Sequence, residues 1–149
     1  MHDSDKLHPE DALEAVHVNI IRYCEENTVS CKTLMKREIE NYILDAHIQD
    51  CSAINIEVKD AFATLSPQQK DYYDYKIGFK KKPANESLLF NSMSDDVIEQ
   101  LTPGFGKGVS EGAFSSDGRL QYTNVAMNQR CSNMLSEFQE IESNIKKML

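Results

Sequence analysis

The sequence predicts an all-α fold: a four- to five-helix bundle with a long C-terminal amphipathic helix and a Gly-containing loop before it. Three observations predict it. Leu120, Asn124, Met127, Cys131, Met134, Phe138, Ile141, Ile145 and Met148 recur on a strict 4,3 spacing, and no Gly or Pro interrupts residues 119–149. Further apolar stripes at helical spacing run through the first half of the chain, each preceded by capping residues. The 149 residues are 40% apolar and 27% charged, which places them among globular chains of one domain rather than disordered ones. A single helical domain over 1–149 follows.

The first helix is expected over about 9–27. Pro9 suits a first helical position, Glu10 and Asp11 complement the positive end of the dipole, and Leu13, Val16, Ile20, Ile21 and Cys24 form its apolar face. Thr28 and Val29 break it, and Ser30 caps a second helix over 30–48 whose stripe is Leu34 or Met35, Ile39, Tyr42, Ile43 and Ala46. Ile54, Ile56 and Val58 alternate like a strand, but Ile54, Val58, Ala61, Phe62 and Leu65 keep helical spacing for longer, so a helix is expected over 53–65. Ser66, Pro67 and Gln69 then compose a capping box opening a helix over 67–80, which must stop before Pro83. Residues 83–118 hold short apolar runs and five glycines and read as a mobile linker, within which Ser94 caps a short helix over 95–101. The last helix is expected over 119–149.

The heptad describes how that helix associates. With Asn124, Cys131, Phe138 and Ile145 at a and with Leu120, Met127, Met134, Ile141 and Met148 at d, it is a poor self-sufficient coiled coil. Glu137 at g faces Glu142 at e of a parallel copy, and Val125 and Leu135 widen the apolar surface. Such a face suits a helix packed inside a bundle or against a protein partner, with a homo-oligomer as another way of covering it. Met127, Met134, Phe138, Ile141, Ile145 and Met148 are the candidate partner-binding residues, and three methionines on one stripe suit an adaptable surface.

Catalytic or metal chemistry has little support. The four histidines (His2, His8, His17, His47) form no H-x-x-x-H or H-E-x-x-H pattern, and His17 with Cys24 supplies only two ligands on one helix face. Around Gly104, Gly106, Lys107 and Gly108 the spacing is too short for a P-loop, which leaves a flexible hinge. Cys24, Cys31, Cys51 and Cys131 lack C-x-x-C spacing and read as reduced thiols. No catalytic residue, metal ligand or cofactor is expected.

Charge narrows the partners. With 24 acidic against 16 basic residues the net charge is −8, which opposes binding to nucleic acid despite the basic-aromatic cluster of Tyr72, Tyr73, Tyr75, Lys76, Phe79, Lys80, Lys81 and Lys82. No apolar run approaches the length of a transmembrane segment and no signal peptide opens the chain, so a cytoplasmic protein, or one secreted by a signal-peptide-independent route, is expected. The expected function is non-enzymatic protein–protein interaction through amphipathic helix docking, as an adaptor, a chaperone-like partner or a subunit of a larger assembly such as a bacterial secretion apparatus. Two alternatives stand beside it: an acidic inhibitor or immunity protein blocking a basic nuclease or DNA-binding surface, and a small enzyme with an unrecognised site.

Overall fold

The computed structural model describes residues 1–81, 83–106, 108–130 and 133–148, with the side chains of Ser116 and Met148 excepted. It is mostly helical, and among the described residues the only extended pairing is an isolated bridge between His2 and Thr33. The helices are α1 (Ala15–Glu26), α2 (Asp45–Asp50), α3 (Ile56–Ala63), α4 (Pro67–Tyr72), α5 (Asp95–Leu101), α6 (Gly108–Ala113), α7 (Ser116–Arg119), α8 (Asn124–Arg130) and α9 (Met134–Met148). Short 3₁₀ turns cover Ile39–Tyr42 and Ala84–Glu86.

Several elements lie where local chemistry places them. The Asn55 side chain accepts the Glu57 N–H at the start of α3. Ser66 and Gln69 cap α4 reciprocally around Pro67. Ser94 stands at the N-cap of α5, but its side chain makes no capping hydrogen bond there; the first turn carries Asp95 and Asp96. Residues 83–118, expected as a linker, instead contain α5, α6, α7 and a 3₁₀ turn, and α5 and α6 pack against α3 and α2 respectively.

Three expected helices are corrected. The first begins at Ala15 rather than near Pro9, because the chain around Pro9 closes a separate turn in which the Leu7 N–H donates to Asp11 and the Asp11 N–H to the His8 carbonyl. The helix expected over 30–48 is a pinned segment, a 3₁₀ turn and then α2. Residues 32–34 pair with His2, while Lys36, Arg37 and Glu38 are buried to form ion pairs that helical periodicity does not register. Helix α4 ends at Tyr72 because the buried Asn41 amide donates to the carbonyls of Lys70 (2.7 Å) and Tyr73 (2.8 Å). The extended backbone at Tyr73 then carries Tyr73 and Tyr75 into the core.

The single rod expected over 119–149 is also corrected. Tyr122 and Thr123 are non-helical, and the Thr123 hydroxyl accepts the Ala126 N–H (3.2 Å) while its carbonyl accepts that of Met127 (2.9 Å), so Thr123 caps a new helix. At the start of α9 the Asn133 carbonyl accepts the Glu137 N–H and the Ser136 hydroxyl. Leu120, expected on the seam, is 79% exposed. Cys131, another expected seam position, lies outside the described residues.

Two apolar clusters hold the chain. The larger joins α2, α3, α5 and α6 around an aromatic block in which Phe62, Tyr73, Tyr75 and Phe105 meet with ring centroids 5.0–6.2 Å apart. The smaller gathers Leu34, Tyr42 and Leu44 against Met127 and Met134. Gly78 and Gly104 bring two loop backbones together, since a Cβ on Gly104 would stand 2.5 Å from the Gly78 nitrogen. The glycine-rich stretch expected as a hinge is therefore, at Gly104, a site of close packing.

Candidate functional site

The structure brings most of the sequence-predicted docking residues together, but inside this chain. Met134 is wholly buried and Met127 nearly so, and Phe138 and Ile141 pack half-buried on the same cluster. Ile145 is 49% exposed, and the side chain of Met148 lies outside the described residues. Buried Glu137 fixes this arrangement: its carboxylate accepts the Tyr42 hydroxyl and the Met35 N–H (2.8 Å), fastening α9 to residues 35–42. Burial and the neighbouring Glu137 carboxylate push the Tyr42 phenol far up, so it stays a donor.

The basic-aromatic cluster is divided as well. Tyr72, Tyr73, Tyr75 and Phe79 are buried, leaving no aromatic face on which a base could stack, and Lys76 is ion-paired. Lys80 and Lys81 remain exposed, and Lys82 and the Lys107 of the glycine stretch lie outside the described residues. The His17 Nε2–H donates to the Asp5 carboxylate (3.1 Å), and the ring stacks on His2 with centroids 5.2 Å apart. No group of three or more His, Cys, Asp or Glu with metal-binding geometry exists among the described residues.

Helix α1 is the feature the sequence undersold. Its apolar face is split along its length: Ile21 and Cys24, with Leu13 just before the helix, are half-buried beside buried His17, whereas Val16, Ile20 and Tyr23 are 55%, 38% and 65% exposed. Those three stand at i, i+4 and i+7 and so form one continuous ridge. Val18 is exposed on the opposite side of the helix and Val29 beyond its end. Acidic side chains bracket the ridge, with Glu10, Asp11 and Glu14 before it and Glu25 and Glu26 at its end, all exposed. The periodicity that identifies an amphipathic face does not tell which half of that face a fold covers.

A second feature is a cleft of about 300 Å³ bordered by Arg37, Glu38, Asp74, Lys76, Phe79 and Ser87. Arg37 Nη2 lies 3.0 Å from Asp74 and its Nε 3.4 Å from Glu38, while Lys76 Nζ reaches Glu38 (3.4 Å) and Glu40 (3.1 Å). Burial, reinforced by Asp74, raises the Glu38 carboxyl above its ordinary range. Burial works against the charge of Lys76, but Glu40 and Glu38 outweigh it and raise the ammonium. These ion pairs hold residues 37–40 to residues 74–76.

A second polar node centres on buried Arg130. Arg130, from α8, reaches Asp71 (3.1 Å), Asp45 (3.5 Å), the Tyr75 hydroxyl (3.2 Å) and the Asn41 carbonyl (3.1 Å). Lys36 adds a 2.7 Å pair to Asp71 and Lys70 a 2.6 Å pair to Asp45. Sequence reasoning missed this node because its members are scattered along the chain. The one available signal was the density of charge within the apolar stripe around Lys36 and Glu38. No helix among the described residues is long and apolar enough to cross a membrane. No family model, curated protein or solved structure matches the chain.

Proposed function

We propose that the protein is a non-enzymatic interaction module that docks through the exposed ridge of α1 onto an apolar groove of a protein partner. The observation that carries this reading is the exposure of Val16, Ile20 and Tyr23 on one side of a twelve-residue helix in which only His17 is buried. A continuous apolar ridge that faces water on a helix anchored by its other side is surface suited to a partner, and helix-in-groove recognition uses anchors at this spacing. Burying the remainder of the three side chains contributes on the order of a few kcal/mol at roughly 25 cal/mol per Å². The acidic residues at both ends of the ridge and the net charge of −8 favour a groove with a basic rim.

The test compares partner retention by the wild-type chain and by a Val16→Asp, Ile20→Asp double variant, with the salt dependence of the recovered complex measured in parallel. Docking through the ridge predicts that the double variant loses the partner, that α1 amides gain exchange protection in the complex, and that affinity falls only mildly with salt. A steep loss with salt, with the double variant still binding, favours instead the charge-mimicking inhibitor that the acidic balance allows. Equal retention with no protection at α1 refutes docking by this helix.

A further inference from the structure

We propose that Cys24 and Cys31 form a reversible dithiol–disulfide site at the end of α1, with a low-molecular-weight disulfide of the glutathione class as its oxidant. The local backbone assembles the pair. Cys24 lies in the last turn of α1, the Asn27 N–H closes that turn on the Tyr23 carbonyl (3.1 Å), and Thr28 adopts a left-handed conformation at φ 57°. The Val29 N–H then donates to the Cys24 carbonyl at 2.8 Å, so residues 29–31 return along the helix end. Thr33, two residues after Cys31, bonds His2 (2.9 Å), and the His2 ring stacks on His17, which shares a face of α1 with Cys24; the segment that carries Cys31 thus runs back beside that face and brings its thiol within hydrogen-bond reach of Cys24. Both are free and half-buried, accessible enough for a small oxidant.

Cys31 belongs to a segment that is anchored elsewhere. Immediately after it, the His2 N–H donates to the Lys32 carbonyl (3.0 Å) and the Leu34 N–H to the His2 carbonyl (3.1 Å). A bond between the two sulfurs therefore ties the end of α1 to a fixed part of the fold. Burial and the adjoining Cys24 thiol raise the Cys31 thiol, which keeps Cys31 largely protonated until its own turn to attack. The Cys24 thiolate attacks one sulfur of glutathione disulfide, its S–S bond breaks and one glutathione thiolate leaves. Cys31, deprotonated, then attacks the Cys24 sulfur of the mixed disulfide and expels the second glutathione thiolate. The two protons released by the protein thiols go to the two leaving thiolates, so the protein loses two electrons and glutathione disulfide gains them.

The pairing of the thiols stands independently of the docking reading, and only its consequence for partner binding rests on that reading. The experiment treats the reduced full chain with glutathione disulfide, blocks remaining thiols with N-ethylmaleimide and cleaves with trypsin. Cleavage after Arg22 and Lys32 leaves both cysteines on the peptide 23–32. The expected product is that peptide two hydrogens lighter than its reduced form and carrying neither glutathione nor maleimide. Cys24→Ser abolishes this product. Maleimide on both cysteines, or a persistent glutathione adduct on either one, overturns the proposal. Hydrogen exchange reads the structural effect: amides at residues 23–27 slow about tenfold on oxidation as fraying of the last turn is restrained, and unchanged exchange argues against the tie. If the disulfide forms while the Val16→Asp, Ile20→Asp variant retains the partner, the docking reading fails and the thiol site stands.

Discussion

Arg130 Nη1 lies 3.1 Å from the Asp71 carboxylate, a buried ion pair that joins α8 to the residues following the α4 capping box. Burial works against the guanidinium, yet Tyr75, Asp71 and Asp45 more than compensate and hold it firmly charged. The pair is one node in a chain of contacts from Lys36 through Asp71, Arg130 and Asp45 to Lys70. Through it, segments distant in sequence share one polar interior.

Removing the centre of that node should be severe. Arg130→Ala leaves the Asn41 and Ile43 carbonyls without their side-chain donor and leaves Asp71 with Lys36 but without the guanidinium. The expected loss is about 3 kcal/mol in urea unfolding, since breaking a buried pair strands the remaining charge. Arg130→Lys recovers only part of it, because an ammonium does not span Asp71, Tyr75 and the Asn41 carbonyl together. A change under about 0.5 kcal/mol for Arg130→Ala contradicts the buried network.

The two apolar stripes should respond oppositely to charge. Met134 is wholly buried, so Met134→Asp places an unpaired carboxylate in the smaller core and should cost more than about 4 kcal/mol or prevent folding. Ile20→Asp on the exposed ridge of α1 should move the unfolding midpoint by no more than about 0.5 kcal/mol. Thermal denaturation of the two variants side by side distinguishes covered from open face.

Glycine substitutions probe the loop contact. Gly104 has φ 68° and its backbone abuts Gly78, so Gly104→Ala should cost upward of about 2 kcal/mol through strain and displacement. Gly112 lies within α6 with open space around a Cβ, so Gly112→Ala should stabilise by roughly 0.5–1 kcal/mol. Equal effects at the two positions contradict close packing at Gly104.

Acid should favour the folded state over one window. The Glu38 carboxyl, and that of Asp3, have higher pKa values folded than unfolded, both chiefly through burial. Between the unfolded and folded values the native state binds more protons, so stability is greatest below the ordinary carboxylate range and declines as pH rises through the folded value. Glu38→Gln should flatten that decline in unfolding free energy measured across mildly acidic to neutral pH, leaving the smaller slope due to Asp3. An unchanged slope places the effect elsewhere.

The oxidation state of Cys24 and Cys31 adds a condition to these measurements. Stabilities of α1 variants are compared in excess reductant, because closing the helix end alters the exchange of residues 23–27 and masks small differences at Ile20.

By itself the sequence determined the helical class and those elements whose signals are local. The Ser66, Pro67 and Gln69 box, the acidic first turn of α5 and the period through Val58, Ala61, Phe62 and Leu65 all correspond to helices, because capping and periodicity act within a few residues. Tertiary structure decided the rest. It broke the C-terminal period at Tyr122 and Thr123, where a side-chain cap and ring contacts to Phe114 and His47 outweighed continuity, and it replaced a predicted helix with buried Lys36, Arg37 and Glu38. It also determined that Met134 is covered while Val16, Ile20 and Tyr23 are not. The physical reason is common to all of these: periodicity identifies a face, whereas burial and ion pairing depend on what a distant segment presents to it.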